Sequence, residues 1–397
     1  MSDTAAAKQT SPHGLTRSQW DAICALRPHE QADVPKEDYR RPSSVYLSDT
    51  RFAEEQRQLL KRVPVAATIS ARLPEPNMAV AVDGYGVPLL ITRDRDGVVH
   101  AFINACRHRG SKMVEGCEAR KGGRLSCPYH AWTYDLKGDL VGIPRQETFP
   151  SLNKSDLGLV ALSCFEAGGI IWVGLDPQHP VDALPQTDQL AADLEAFGLH
   201  KMHLYGQRTY DLASNWKFVI EPFLEGYHVQ RLHAQSIGAM FADVPSVYST
   251  MGHHQRQTSG KANFDPALLS GDINNLHRYV THAYLVFPNT IIVTSPYYIS
   301  LMILMPRARN RTVVDYYMLV KSAPDNPKAE DLYKRSFELI HAVFGGEDFR
   351  AACIQQEAME SGAINEVYYG GLEKMINVFH NSVESFLDDS RIEAQQL

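Results

Sequence analysis

Apolar positions follow two periods along the chain, and the change between them divides it. From residue 65 to 176 they come in short runs cut by turn residues, as strands do. Met78–Val82, Pro88–Thr92 and Val98–Ile103 are three such runs, separated by Asp83-Gly84-Tyr85-Gly86 and Arg93-Asp94-Arg95-Asp96-Gly97. The run Gly168–Gly174 closes the series, and Pro177 and Pro180 mark a linker. Ahead of it, Phe52–Arg62 reads as a helix with Phe52, Leu59 and Leu60 on one face and Pro64 ending it. Beyond residue 185 both periods occur. Asp188–Phe197 reads as a helix stopped by Gly198, and His203–Leu212 as a strand. Tyr284–Phe287, Ile291–Met305 and Thr312–Val320 are apolar, β-rich runs that suit an antiparallel sheet with one buried face. Lys328–His341, Phe349–Met359 and Leu372–Phe386 have helical spacing. The expected class is α+β: a β-rich domain with its preceding helix over 45–178, then a domain over 179–397 in which helices flank an antiparallel sheet. Residues 1–44, with a weak helical stretch at Ser18–Arg27, read as a partly ordered leader.

Composition narrows the partners. Of 397 residues, 44% are hydrophobic and 21% charged, as in ordinary globular proteins. The net charge of −7, from 39 basic and 46 acidic side chains, argues against nucleic acid or an anionic membrane as a partner. No apolar run approaches the roughly 20 residues that span a bilayer. The Ala5–Gln9 stretch lacks an apolar signal core, so the cytoplasm is the expected location. Cys24, Cys106, Cys117, Cys127, Cys164 and Cys353 are too sparse for a disulfide framework, which leaves reduced thiols and metal ligation.

Two short segments concentrate the ligating residues. Cys106-Arg107-His108 is followed, after eighteen residues, by Cys127-Pro128-Tyr129-His130. Four such ligands suit a structural zinc ion. They also suit a two-iron, two-sulfide cluster of the Rieske type, with two thiolates on one iron and two imidazoles on the other. The alternating order favours the cluster, because each loop then gives one ligand to each iron. Pro128 stiffens one loop and Gly110 lets the other turn tightly. Cys117, outside any ligand spacing, reads as a buried thiol.

Cys106-Arg107-His108-Arg109-Gly110 and Cys127-Pro128-Tyr129-His130-Ala131-Trp132-Thr133-Tyr134-Asp135 resemble the Rieske domain of ring-hydroxylating oxygenase α subunits. Ala131 departs from that pattern, where glycine is usual. The resemblance implies a [2Fe–2S] cluster held by Cys106, His108, Cys127 and His130, and a catalytic domain of helix-grip type.

Further along, Asn215-Trp216-Lys217 precedes Glu221, Glu225, His228 and His233. Two histidines five apart diverge by roughly 140° on a regular helix, so they share an ion only if the helix ends or bends. Two histidines and a carboxylate form the facial triad of non-haem Fe(II) oxygenases. The segment resembles the mononuclear iron motif of the same family, which makes His228 and His233 ligands. Gly345-Gly346-Glu347-Asp348, opening a helix that carries Gln356, resembles the late Glu-Asp motif and makes Asp348 the third. Glu347, Glu357 and Glu360 are rivals, and both acids could instead simply favour a helix N-terminus. Cys353 stands where the family often has glutamate, and Pro222 where arene dioxygenases often have asparagine. Proline there should kink the helix or start a new turn.

The resemblance, running from about residue 45 to 385, also implies how the parts cooperate. Electrons pass from NAD(P)H through a flavin and iron–sulfur reductase or ferredoxin to the cluster. They then reach the Fe(II) of a neighbouring subunit in a homotrimer, where O₂ oxidises a small-molecule substrate. Glu225 would bridge His228 to His130 of that neighbour. Glutamate instead of aspartate resembles carnitine oxygenases and tilts the expectation toward an aliphatic or N-methyl carbon. Ring hydroxylation in aromatic hydrocarbon catabolism stays open, as does a Rieske electron carrier without oxygenase activity. Tyr284, Phe287, Tyr297, Tyr298, Met302 and Met305 are candidates for the pocket. His253, His254 and Arg256 could recognise a carboxylate, although a solvated loop is the simpler reading.

Overall fold

A computed structural model describes residues 14–27, 35–184, 188–243, 245–270 and 275–387. The β-rich first half is built of three small antiparallel sheets. The largest runs in the order Ala161–Leu162, Val99–Ile103, Leu89–Arg93, Met78–Val82, Arg120–Lys121. A second joins Cys164–Ala167, Ile170–Val173 and Val65–Ile69. Gly168 and Gly169, both at positive φ, make the turn between the first two of these strands. The third sheet, Arg124–Ser126, Thr133–Asp135 and Leu140–Gly142, carries the second Cys-His loop between its first two strands.

The second half is one seven-stranded antiparallel sheet, in the order His203–Leu212, Arg311–Val320, Tyr298–Ala308, Thr290–Thr294, Val280–Val286, His254–Gly260, Val247–Met251. The apolar run 291–305 is two strands, broken at Ser295–Tyr297. The α+β class holds, and the helices Asp188–Phe197 and Phe349–Met359 have the expected bounds. Two strands of this sheet, Val247–Met251 and His254–Gly260, were not expected, the second because it is polar: it is buried through most of its length yet carries His254, Gln255, Arg256 and Gln257. Arg256 is therefore no solvated loop residue. Its guanidinium binds a carboxylate inside the protein, Asp193 at 2.7 Å, and both side chains are buried.

The leader is partly integral. Helix Arg17–Cys24 is capped by Thr16 and Gln19 and docks Ile23 on Leu276 and Val280. Gln19 donates to the Tyr284 hydroxyl at 3.0 Å. The segment expected to be helical at 52–62 becomes Asp49–Glu54 followed by a π-helical turn, Glu55–Leu60. It packs against the C-terminal helix Lys374–Leu387. Inside, Glu55 meets the Lys217 ammonium at 2.7 Å, a pair withdrawn from solvent. The two halves also touch directly: Asn289 Nδ2 donates to the Tyr85 hydroxyl at 2.5 Å, and Gly84 lies flat on Met305. Tyr284, Phe287, Met302 and Met305 are core residues, which leaves Tyr297 and Tyr298 from the expected pocket set. Cys117 is exposed rather than buried, since it lies on the loop past Val114. Among the described residues no helix is long and apolar enough to cross a membrane.

Candidate metal centres and active site

The two Cys-His loops close with the same backbone scheme. The Cys106 amide donates to the Ser111 carbonyl and the Cys106 carbonyl accepts from Gly110. The Cys127 amide donates to the Trp132 carbonyl and the Cys127 carbonyl accepts from Ala131. Each loop thus turns back through a residue in the left-handed region, Gly110 at φ +78° and Ala131 at φ +55°. Glycine is at home there; alanine is strained by about 1–2 kcal/mol. The Ala131→Gly variant should therefore be more stable by about 0.5–1 kcal/mol after the added flexibility of its unfolded chain is subtracted. Thermal melting followed through the visible absorbance of the cluster checks this.

The loops place all four predicted ligands together. Cys106 and Cys127 are buried, and the imidazoles of His108 and His130 lie with centroids 4.6 Å apart. Backbone N–H groups of Tyr129 and His130 aim at the Cys127 sulfur, that of His108 at the Cys106 sulfur. Burial opposes ionisation of both thiols; at Cys127 these donors outweigh it and lower the pKa. The Tyr134 hydroxyl lies 3.6 Å from the Cys106 sulfur. His108 stacks on Trp132, and its buried Nδ1 has no hydrogen-bond partner. A buried imidazole nitrogen without a partner is costly unless an ion takes it. Two facing thiols, two facing imidazoles and donors aimed at the sulfurs fit a two-iron cluster.

In the second half the chain breaks its own helix to make a site. Helix Trp216–Ile220, capped by Asn215, tightens to a 3₁₀ turn over Glu221–Leu224 with Pro222 in its first turn. Glu225 is extended, and a single helical turn, Val229–Leu232, follows with His228 and His233 as its two caps. The histidines stand at the two ends of one turn, His233 leaving helical geometry at φ −92° and ψ 18°, and their rings meet with centroids 5.1 Å apart. Asp348 comes from a π-helical turn, Phe344–Asp348, between Pro327–Val343 and Phe349–Met359. Glu347 and Asp348 are therefore inside a continuous helical run, not at a helix N-terminus. A π-turn re-aims one side chain without ending the helix, and Gly345 admits it, since any β-carbon there would meet the Tyr210 ring at 2.9 Å.

His228, His233 and Asp348 each offer a ligand atom, all within 4.8 Å of one another. The Nε2 atoms of His228 and His233 lie 3.5 and 3.3 Å from Asp348 Oδ1, which is buried and has no hydrogen-bond partner. Behind each histidine stands a carboxylate. Glu225 Oε1 is 2.5 Å from His228 Nδ1, and Glu225 Oε2 accepts the His228 amide at 3.1 Å. Glu347 takes His233 Nδ1 and is itself held by the Ser236 hydroxyl at 2.8 Å. Such partners fix the tautomer and turn Nε2 toward the ion. Burial disfavours an imidazolium at His233, but Asp348 and Glu347 outweigh it and raise the pKa. The pocket is built to hold positive charge, and its two-nitrogen, one-oxygen donor set fits Fe(II). Of the rival carboxylates, Glu360 is tied to Arg309 and Gln356 and Glu357 is exposed, while Glu347 sits behind His233, against its Nδ1. The Glu347→Ala variant should bind mononuclear iron roughly 10- to 100-fold more weakly. Iron titration with an unchanged cluster spectrum checks it.

The site opens into a cavity of about 390 Å³. Phe223, Phe241, Tyr297, Tyr298 and Phe344 give it aromatic walls, and Glu225, His228, His233 and Asp348 lie at one side. Deeper in, Glu221 accepts from the Tyr46 hydroxyl at 2.6 Å and lies 2.9 Å from His380 Nε2. Burial pushes its pKa up to about 8.

Residues 63–157 match the family model described as a Rieske [2Fe–2S] domain, and residues 199–389 the one described as the catalytic domain of the ring-hydroxylating α subunit. The chain belongs to the Rieske-type ring-hydroxylating oxygenase α subunits. Its cofactors are a Rieske cluster and a mononuclear iron, and it is an oxidoreductase that uses O₂. The oxygenase subunit of carnitine monooxygenase from Escherichia coli strain K12 is 25% identical over 334 residues, covering 82% of this chain and 86% of that one. The chloroplastic choline monooxygenase of Atriplex hortensis is 27% identical over 366 residues, 87% and 78% of the two chains. The crystal structure of a quaternary ammonium Rieske monooxygenase with L-carnitine shares the fold, with a TM-score of 0.75 at 20% identity over 92% of this chain and 98% of that one. These sequence relatives are named for quaternary ammonium compounds, so the expectation of aromatic hydrocarbon catabolism finds no support.

Proposed function

We propose that this oxygenase oxidises an N-methylated quaternary ammonium compound at a carbon bonded to nitrogen. The observation that carries the reading is the aromatic-walled cavity against which His228, His233 and Asp348 converge. Aromatic faces attract quaternary ammonium groups, which no hydrogen bond can hold. Two electrons, two protons and O₂ convert the C–H bond to C–OH and release water. The resulting carbinol at a carbon on cationic nitrogen then loses a proton and expels the amine, leaving an aldehyde.

In this reading His228, His233 and Asp348 hold the mononuclear iron, and Cys106, His108, Cys127 and His130 hold the cluster. The iron, when bound, supplies O₂ activation. The chain supplies position and dryness: Glu225 and Glu347 orient the imidazoles, and the apolar wall keeps water from the reacting carbon. Electrons arrive from NAD(P)H through a reductase. Glu225 links His228 to His130 of a neighbouring subunit in a trimer, and the partial exposure of His130 and His228 beside exposed Tyr129 and Tyr227 suits that contact. O₂ uptake by the holoenzyme with a surrogate reductase and NADH tests the reading. Quaternary ammonium compounds should stimulate uptake and yield amine and aldehyde in equal amounts. Stimulation by arenes alone would refute it.

A further inference from the structure

One cation lines the cavity among the described residues: Lys261, which follows the strand His254–Gly260. Its ammonium donates to the His277 carbonyl at 2.7 Å, and no carboxylate of the described residues lies within ion-pair distance of it. An ammonium has three donors, so two are left. The carboxylates that line the same cavity are committed elsewhere. Glu225 holds the ring and amide of His228, and Asp348 faces the two imidazoles. His277, beside Lys261, has its pKa lowered to about 4 by burial and by that lysine, so it adds no second charge at neutral pH.

Lys261 lines the cavity and is half-buried, and an ammonium withdrawn from water is stable only if something offsets its lost hydration. One backbone carbonyl offsets part of it. Burial lowers the Lys261 pKa to about 8, which still leaves it mostly charged at neutral pH. A purely cationic ligand in this cavity would face that charge with nothing between. A ligand with an anionic end would cancel it.

We infer that Lys261 is a specificity-determining residue that binds a carboxylate of the substrate, so that the enzyme takes zwitterionic, betaine-type compounds and discriminates against cationic amino alcohols. The inference rests on the quaternary ammonium reading for the cationic half of the ligand alone. That half lies among the aromatic rings of Phe223, Tyr298 and Phe344, and the carboxylate lies at Lys261.

Four probes separate the two halves: glycine betaine, choline, and the isostere of each in which a tert-butyl group replaces trimethylammonium. Their dissociation constants are measured on the holoenzyme by calorimetry, without turnover. In each pair the acid should bind more tightly than the alcohol by on the order of 10- to 100-fold, the range of a charged hydrogen bond. Lys261→Met should erase that preference by weakening the acids, with the neutral tert-butyl alcohol unchanged and choline bound no more weakly than before, and Lys261→Arg should keep most of it. Melting temperature and the cluster spectrum report whether the variants are folded. If Lys261→Met does not fold, the wild-type ratios and Lys261→Arg still decide. Acids that bind no more tightly than alcohols, absence of binding by all four included, would overturn the inference. So would an acid preference that survives in Lys261→Met. A Lys261-dependent acid preference in the tert-butyl pair, with no gain from the ammonium charge, leaves Lys261 in its role and sinks the quaternary ammonium reading.

Discussion

Glu225→Ala should abolish substrate-dependent NAD(P)H consumption while both metal centres can still be loaded. Two tasks are proposed for Glu225, and the geometry shows the first. One oxygen takes His228 Nδ1 and the other accepts the amide of the same residue, so the carboxylate locks the ring at the start of its helical turn. Losing that lock should weaken iron binding by roughly 10- to 100-fold, which excess Fe(II) restores. The second task is the proposed link from His228 to the cluster ligand His130 of the neighbour. Excess iron does not restore that. The expected result is a variant with full cluster absorbance and reconstituted iron whose turnover is down on the order of 10³-fold, as for loss of an essential group. Glu225→Gln separates the tasks further, because an amide oxygen can still accept from Nδ1–H without carrying charge. Single-turnover experiments settle it: reduced cluster should stay reduced after O₂ and substrate are added. Rapid reoxidation with product would remove the bridging role and leave Glu225 as a positioning residue for His228.

The site could be read in the sequence unevenly, and the reasons are physical. The Cys-His loops are compact, since all four candidates lie within 25 residues on two hairpin-like loops with matching backbone closures. Spacing alone could bring them together. His228 and His233 were harder. Five apart, they contradict a regular helix, and the helix in fact lasts a single turn, with His233 already outside helical geometry. Asp348 lies 115 residues beyond His233, and no local rule connects them. Even the Gly345-Gly346 signal suggested a helix start rather than the π-turn that occurs. Glu347 as the partner of His233 carried no sequence signal apart from its place beside Asp348.

The same contrast holds for the fold. Apolar alternation found Met78–Val82, His203–Leu212 and the three runs of the large sheet, because each has a greasy face. It missed His254–Gly260, whose buried polar side chains are satisfied by partners far along the chain, Arg256 by Asp193 and Thr258 by His282. Polar residues look like loop until their partners are known. Lys261, at the end of that strand, was missed for the same reason. A single lysine carries no pattern, and only the cavity gives it meaning.

Asp348→Ala should remove the mononuclear iron and spare the cluster. Among the described residues Asp348 is the one carboxylate whose oxygen faces both Nε2 atoms, and that oxygen has no hydrogen-bond partner. Alanine leaves two neutral donors and no charge to balance a divalent ion. The retained layer does not compensate, because Glu225 and Glu347 are spent on the far nitrogens of the two rings. Iron should fall from about three to about two atoms per chain while acid-labile sulfide stays at about two, as a two-iron cluster requires. Activity should fall at least about 10³-fold. Metal analysis with sulfide determination gives the stoichiometry. Electron paramagnetic resonance of the reduced protein shows whether the Rieske signal survives. A drop in sulfide together with iron would mean that the substitution disturbs the fold beyond the site. Glu347→Ala makes the comparison sharper, since it removes a buttress and not a ligand. It should lose iron only at limiting concentration, whereas Asp348→Ala should lose it at any. If Asp348→Ala retains about three iron atoms and wild-type turnover, the third ligand lies elsewhere, and Glu347, already 26% exposed beside His233, is the residue to test next.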